Sequence, residues 1–120
     1  MPTLIPKPTR IEAAGNKPKL IDEYVGRVNS GDAAVSVAHM VAPAGWTEPF
    51  QRPDFDEYTV VLSGTVLVET DAGVLTVEAG QGVVTRAGER IRYATPESSG
   101  AEYVAVCLPA FGPDLAHRQD

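Results

Sequence analysis

The chain is predicted to be all-β, a single domain of seven to nine short strands arranged as a sandwich or barrel. Three observations predict this. Apolar residues alternate with a period of two over short stretches such as Ala33 to Ala42, AAVSVAHMVA. Clusters of Gly, Pro, Asn and Asp interrupt the chain at intervals of roughly 8–12 residues. No stretch of a dozen residues keeps a helical period without a Gly or Pro inside it.

The elements follow in order. Residues 1–18 carry Pro2, Pro6, Pro8 and Pro18 and read as an extended N-terminal arm with room for one short strand, since proline is excluded from helix interiors and ladder positions. Residues 19–112 are expected to form the barrel and residues 113–120 a C-terminal tail. Lys19 to Val28 is strand-like, interrupted at Gly26, and Asn29-Ser30-Gly31-Asp32 is a turn cluster. In Ala33 to Ala42, Val35, Val37, His39 and Val41 share one face, and Ser36, Ala38 and Met40 share the other. Phe55 to Leu62 is the next strand, and Ser63-Gly64 is read as a turn into Thr65 to Glu69. Asp71-Ala72-Gly73 signals a hairpin before Val74 to Glu78. Val83 to Arg86, Arg90 to Ala94 and Ala101 to Leu108 complete the set.

A chain of 120 residues, 43% apolar and 22% charged, is long enough to bury one sizeable core. Its net charge is −6, and an acidic surface repels phosphate backbones. There is no stripe of Lys and Arg with interleaved aromatics either, so no nucleic-acid partner is expected. No membrane partner is expected, because no apolar run approaches the roughly 20 residues of a span. Prolines break the opening MPTLIPKPTR where a signal peptide needs an uninterrupted apolar segment, so the expected location is cytoplasmic. The single cysteine, Cys107, lies within the apolar run YVAVCL and reads as a buried, inert thiol.

The densest set of chemically able side chains lies between Gly45 and Gly64, GWTEPFQRPDFDEYTVVLSG. It leads into an apolar strand, the arrangement by which small barrels deliver polar groups to an interior site. Gly45, Gln51, Pro53, Glu57 and Gly64 fall at the spacing of the first cupin motif, G-x5-H-x-H-x3-E-x6-G. Gly80, Arg86, Gly88, Ile91 and Thr95 fall at that of the second, G-x5-P-x-G-x2-H-x3-N. Over residues 20–108 the chain thus resembles the cupin family, whose fold is a jelly-roll β-barrel. It is most similar to the histidine-poor cupins, the group of the cupin-type ethanolamine utilisation protein. In metal-binding cupins two His and a Glu of the first motif and one His of the second hold the metal. Gln51, Pro53 and Ile91 stand at the three His positions and only Glu57 remains, so no metal and no other cofactor is expected.

Period two from the motif puts Gln51, Phe55, Glu57, Thr59 and Val61 inside the barrel, with Asp56, Tyr58, Val60 and Leu62 outside. A carboxylate inside an apolar barrel is desolvated and its pKa rises toward the range of a general acid or base. The bland alternative for Glu57 is a structural carboxylate on a backbone N–H or a buried Arg. His39 is read as a core histidine or, if its face lines the barrel, as a proton-transfer partner of Glu57. Tyr93, two residues after Ile91, is either a proton donor to a developing oxyanion or plain packing. Gln51 suits a ligand carbonyl or hydroxyl. Arg86 reads as a carboxylate clamp at the mouth or a surface ion pair. Trp46 and Phe50 cover a ligand or cap the core.

The expected function is a small-molecule enzyme without a conventional metal site. It would move a proton on a carbonyl-bearing substrate, in an isomerase, epimerase or lyase reaction. The alternatives are a non-catalytic domain holding a small ligand in the same cavity, and a metal site of unorthodox ligands, His39, Glu48 and Glu57. Strand 58–62 is apolar on both faces, and its outer face needs a cover. A homodimer is expected to supply it.

Overall fold

A computed structural model describes residues 1–119 of the chain. Eight strands and one short helix follow in order: β1 (Thr9–Ile11), β2 (Leu20–Val25), β3 (Ser36–Ala42), β4 (Asp56–Thr70), β5 (Gly73–Glu78), β6 (Gly82–Thr85), β7 (Ile91–Ala94), β8 (Ala101–Leu108) and α1 (Pro113–Ala116). All pairings are antiparallel. One sheet runs β1-β2-β3-β8 into the first half of β4, with β6 on the far side of that half. In the second half of β4 the same strand lies between β5 and β7. This is the jelly-roll architecture expected, with two sheets sharing one long strand.

That long strand departs from the reading of Ser63-Gly64 as a turn. The ladder to β8 shifts register between Val61 and Ser63, and Gly64 takes a positive φ of 75°. The chain thereby bends from one sheet into the other without leaving the strand. Only glycine suits the bend, because a Cβ at position 64 would lie 2.0 Å from the Gly100 carbonyl oxygen. A local sequence signal for a turn was present, and the neighbouring strand converted it into a bulge.

The inward face of β3 is Ser36, Ala38, Met40 and Ala42, not the face that carries His39. Both faces of this strand are apolar in composition, so alternation alone does not say which turns inward. On β4 the expected alternation holds: Glu57, Thr59 and Val61 are buried, while Val60 and Leu62 are about half exposed. The core between the sheets is built on Trp46, Val61, Val66, Val68, Ile91 and Tyr103. The tail folds into α1, started by Pro113 at its first turn with Asp114 beside it. Among the described residues no helix is long and apolar enough to cross a membrane.

Candidate functional site

A cavity of about 60 Å³ opens at one end of the barrel, on the inner face of the larger sheet. Small residues make the room for it: Ala38 on β3 and Ala105 on β8 face each other across the ladder and present only a methyl each. Strand β4 delivers Glu57 to the floor, with Phe55 beside it. The loop from Pro43 to Asp54 brings Glu48 and Gln51, and Tyr93 comes from β7. Gln51 is fastened by a pair of backbone bonds with Ile91, each 2.9 Å, which ties the loop to β7. Lys19 precedes β2, and the arm residues Ile11, Ala13 and Ala14 close one side. Arg118 stands at the mouth.

The electrostatics centre on Glu57. Burial, with the charge of Glu48 second, pushes its carboxyl up to about 7, against the weaker opposing pull of Lys19 and of the Tyr93 hydroxyl. Glu48 is raised too, mainly by desolvation, although Lys19 and a bond from the Tyr93 backbone N–H at 3.4 Å favour its charge. Lys19 is lowered by desolvation and supported by the two carboxylates. Its ammonium lies 4.1 Å from the Trp46 ring centroid and 5.2 Å from that of Tyr103. Lys19 and Glu48 are half-buried, because the mouth keeps part of their surface open, whereas Glu57 is buried. Burial also lifts the hydroxyls of Tyr93 and Tyr103 and the Cys107 thiol. The Tyr93 hydroxyl pairs with Thr85 at 2.8 Å. That of Tyr103 is 2% exposed as a residue and has no hydrogen-bond partner among the described residues.

The structure brings together Glu57, Tyr93 and Gln51 around this cavity. Trp46 packs in the core behind it, 1% exposed, and meets the cavity wall through Lys19 and through the Ala14 carbonyl, to which its indole N–H donates. The other expected residues lie elsewhere. His39 points to the outside of the sheet, where its Nε2 meets Glu102 at 2.6 Å. It therefore forms no pair with Glu57, and a metal set of His39, Glu48 and Glu57 is not assembled. Among the described residues no group of three or more His, Cys, Asp or Glu is arranged to hold a metal ion. Arg86 is on the exterior, donating to the Tyr58 hydroxyl at 3.0 Å. Phe50 lies under two guanidinium groups, with Arg90 at 3.8 Å and Arg92 at 4.4 Å from its ring centroid.

Lys19, Tyr103 and Arg118 are the groups that the residue-level reading overlooked. Tyr103 had a signal: it shares the inner face of β8 with Ala101, Ala105 and Cys107, and small neighbours on an inner face imply a void beside the large one. Lys19 and Arg118 had none, because each reaches the site from a segment near one end of the chain.

Comparison with solved structures shows the fold. The chain superposes on the ethanolamine utilisation protein Q of Salmonella typhimurium LT2 with a TM-score of 0.68 and 16% identity, over 88% of this chain and 98% of that one. It superposes on the polyketide cyclase RemF of Streptomyces resistomycificus with a TM-score of 0.77 and 13% identity, over 100% and 85% of the two chains. A variant of the Bacillus subtilis oxalate decarboxylase gives 0.74 and 15%, over 98% of this chain and 33% of that one. These are cupin-fold proteins, and the chain is a cupin-fold protein too. No family model matches it.

A relative by sequence redirects the function. Over 102 residues, 84% of this chain, it is 41% identical to a Myxococcus xanthus protein named endoribonuclease YbeY. The chain spans 34% of that relative's length. This finding overturns the expectation of an isomerase, epimerase or lyase on a carbonyl substrate, and with it the small-ligand and unorthodox-metal alternatives. It equally overturns the exclusion of nucleic acid as a partner. That exclusion rested on the net charge and on the lack of a Lys and Arg stripe with interleaved aromatics, both of which are properties of this chain alone.

Proposed function

We propose that this chain is a cupin module that serves RNA cleavage beside a nuclease body that it does not itself contain. The observation that carries this reading is the 41% identity to a protein named as an endoribonuclease, of which the chain corresponds to only 34%. Two features of the molecule support a module over a free-standing nuclease. The chain carries a net charge of −6, unfavourable for holding a phosphate backbone along its surface. Its reactive groups face a cavity of about 60 Å³ at the barrel end, too small for a scissile nucleotide with both its neighbours. On the exterior, Val60, Leu62, Val84 and Leu108 leave an apolar strip on one sheet, which is suited to packing against another protein body. RNA processing, together with a lone free cysteine, belongs to a reducing cytoplasm.

A domain exchange tests the reading. Deleting the matched third of the Myxococcus relative is expected to impair its cleavage of structured RNA, and inserting this chain in its place to restore it. The chain alone is expected to leave the same RNA intact. An exchange that restores nothing overturns the proposal. Cleavage by the isolated chain, abolished in Glu57→Gln, overturns the division of labour and makes Glu57 the base that takes the 2′-hydroxyl proton.

A further inference from the structure

We propose that the outer face of the larger sheet is the surface by which this module docks against the RNA-cleaving body. The inference rests on the RNA reading for the partner, and on the sheet for the surface.

The register builds the face. Side chains paired across an antiparallel ladder point to the same side of the sheet. Val37, Val106, Tyr58 and Val84 therefore form one row across β3, β8, β4 and β6, and His39, Val104 and Val60 form the next. Leu62 and Leu108 lie towards opposite ends of the same face. Val60, Leu62, Val84 and Leu108 are each between 44% and 53% exposed.

No described segment of the chain covers these side chains. The N-terminal arm runs along the inner side, where Ile11, Ala13 and Ala14 line the cavity. The C-terminal segment crosses the barrel mouth, its Leu115 and His117 carbonyls accepting from the backbone N–H groups of Asp54 and Arg52. Four strands span about 15 Å at the usual spacing, wider than the roughly 11 Å of a single helix, so the cover is a folded body.

Charge then selects which body. The charges bordering the valines are paired within the chain: His39 with Glu102 at 2.6 Å, Arg10 with Asp22 at 2.7 Å and Arg86 with Asp56 at 3.5 Å. Covering them adds no unpaired charge to the interface. The net charge of −6 acts at longer range. It repels RNA and a second copy of the chain, both of which are negative, and it attracts a cationic surface. A body that cleaves RNA holds phosphates with Lys and Arg, and so presents that surface. The chain corresponds to 34% of its endoribonuclease relative, which leaves the larger part of that protein to form the body.

The domain exchange supplies the material for the test: the Myxococcus relative carrying this chain in place of its matched third, compared with the isolated chain. Hydroxyl-radical labelling reads side-chain exposure in both. Labelling of Leu62 and Leu108 is expected to fall roughly threefold or more in the exchanged protein, because the core of a docked interface excludes solvent. Leu75, 55% exposed on the other sheet, is the control and is expected to label equally in both. Val60→Lys with Val84→Lys sets like charge against a cationic body. That pair is expected to restore the labelling and to lower the restored cleavage by roughly 10–100-fold. Val60→Thr with Val84→Thr keeps the β-branched shape in case the lysines unfold the sheet, and is expected to move both readouts the same way by a smaller factor. Equal labelling of Leu62 and Leu108 in the two proteins overturns the docking face. So does an isolated chain that sediments as a dimer dispersed by Val60→Lys, which gives the face to a second copy. If cleavage is restored while the face stays open, this inference fails and the RNA module stands. If the face is covered and no cleavage returns, the RNA module fails and the docking face stands.

Discussion

Glu57 carries a titration that folding itself must show. Its carboxyl ordinarily ionises near 4.5 and in the folded chain near 7, because burial disfavours the charge and Glu48 adds repulsion. Between those values the folded state holds a proton that the unfolded state has released. The contribution of this group to stability is therefore full below about 4.5, declines as pH rises, and is gone above about 7. The loss is on the order of 3 kcal/mol. Urea midpoints across that window are expected to fall with pH in the wild type and to flatten in Glu57→Gln; an unflattened slope would assign the titration to another group. Tyr103 gives a contrasting case. Its hydroxyl has no partner among the described residues, so Tyr103→Phe is expected to leave stability unchanged or raise it by up to about 1 kcal/mol.

The decisive element is β4, because a single strand both delivers Glu57 and joins the two sheets. Gly64 is the point on which that depends. Gly64→Ala forces a side chain into a positive φ and against the Gly100 carbonyl, and is expected to cost at least about 2 kcal/mol in urea unfolding. A wild-type midpoint would show that the strand can bend elsewhere. The N-terminal arm is the second element of consequence. It is held by β1 on β2 at one end and, at the other, by Asn16, whose backbone N–H donates to the Thr47 carbonyl and whose side-chain oxygen accepts from the Thr47 N–H. Between them the Trp46 indole N–H donates to the Ala14 carbonyl at 3.2 Å. Removing residues 1–16 is expected to shift Trp46 emission to longer wavelength, as water reaches the indole. Unshifted emission would mean that the arm contributes nothing to closing the site.

Across the whole molecule, a net charge of −6 sets how this chain would meet RNA under the proposed function. Its own affinity for single-stranded RNA is expected to be weak and to fall with salt at a log–log slope of about −0.7 or shallower, the value for one phosphate of a single strand. A slope several times steeper would mean that RNA lies along the surface in spite of the acidic exterior.

Much of this was legible from the residues. The strands, the jelly roll and the inward aim of Glu57 follow from period-two alternation and from glycines at set spacings, both of which are local properties of a pleated backbone. Local signals were also what misled. Ser63-Gly64 carries turn chemistry, and only the neighbouring β8 makes it a bulge within one strand. His39 sits on a strand apolar on both faces, so its direction was settled by packing against β8 and the small residues that open the cavity. What the sequence determined by itself is the barrel and the carboxylate inside it. What tertiary structure decided is the company that carboxylate keeps: Lys19, Glu48, Tyr103 and Arg118 come from four separate segments. The physical reason is that charges and hydroxyls have no period of their own, and their coupling depends on distances that exist only after the chain has closed.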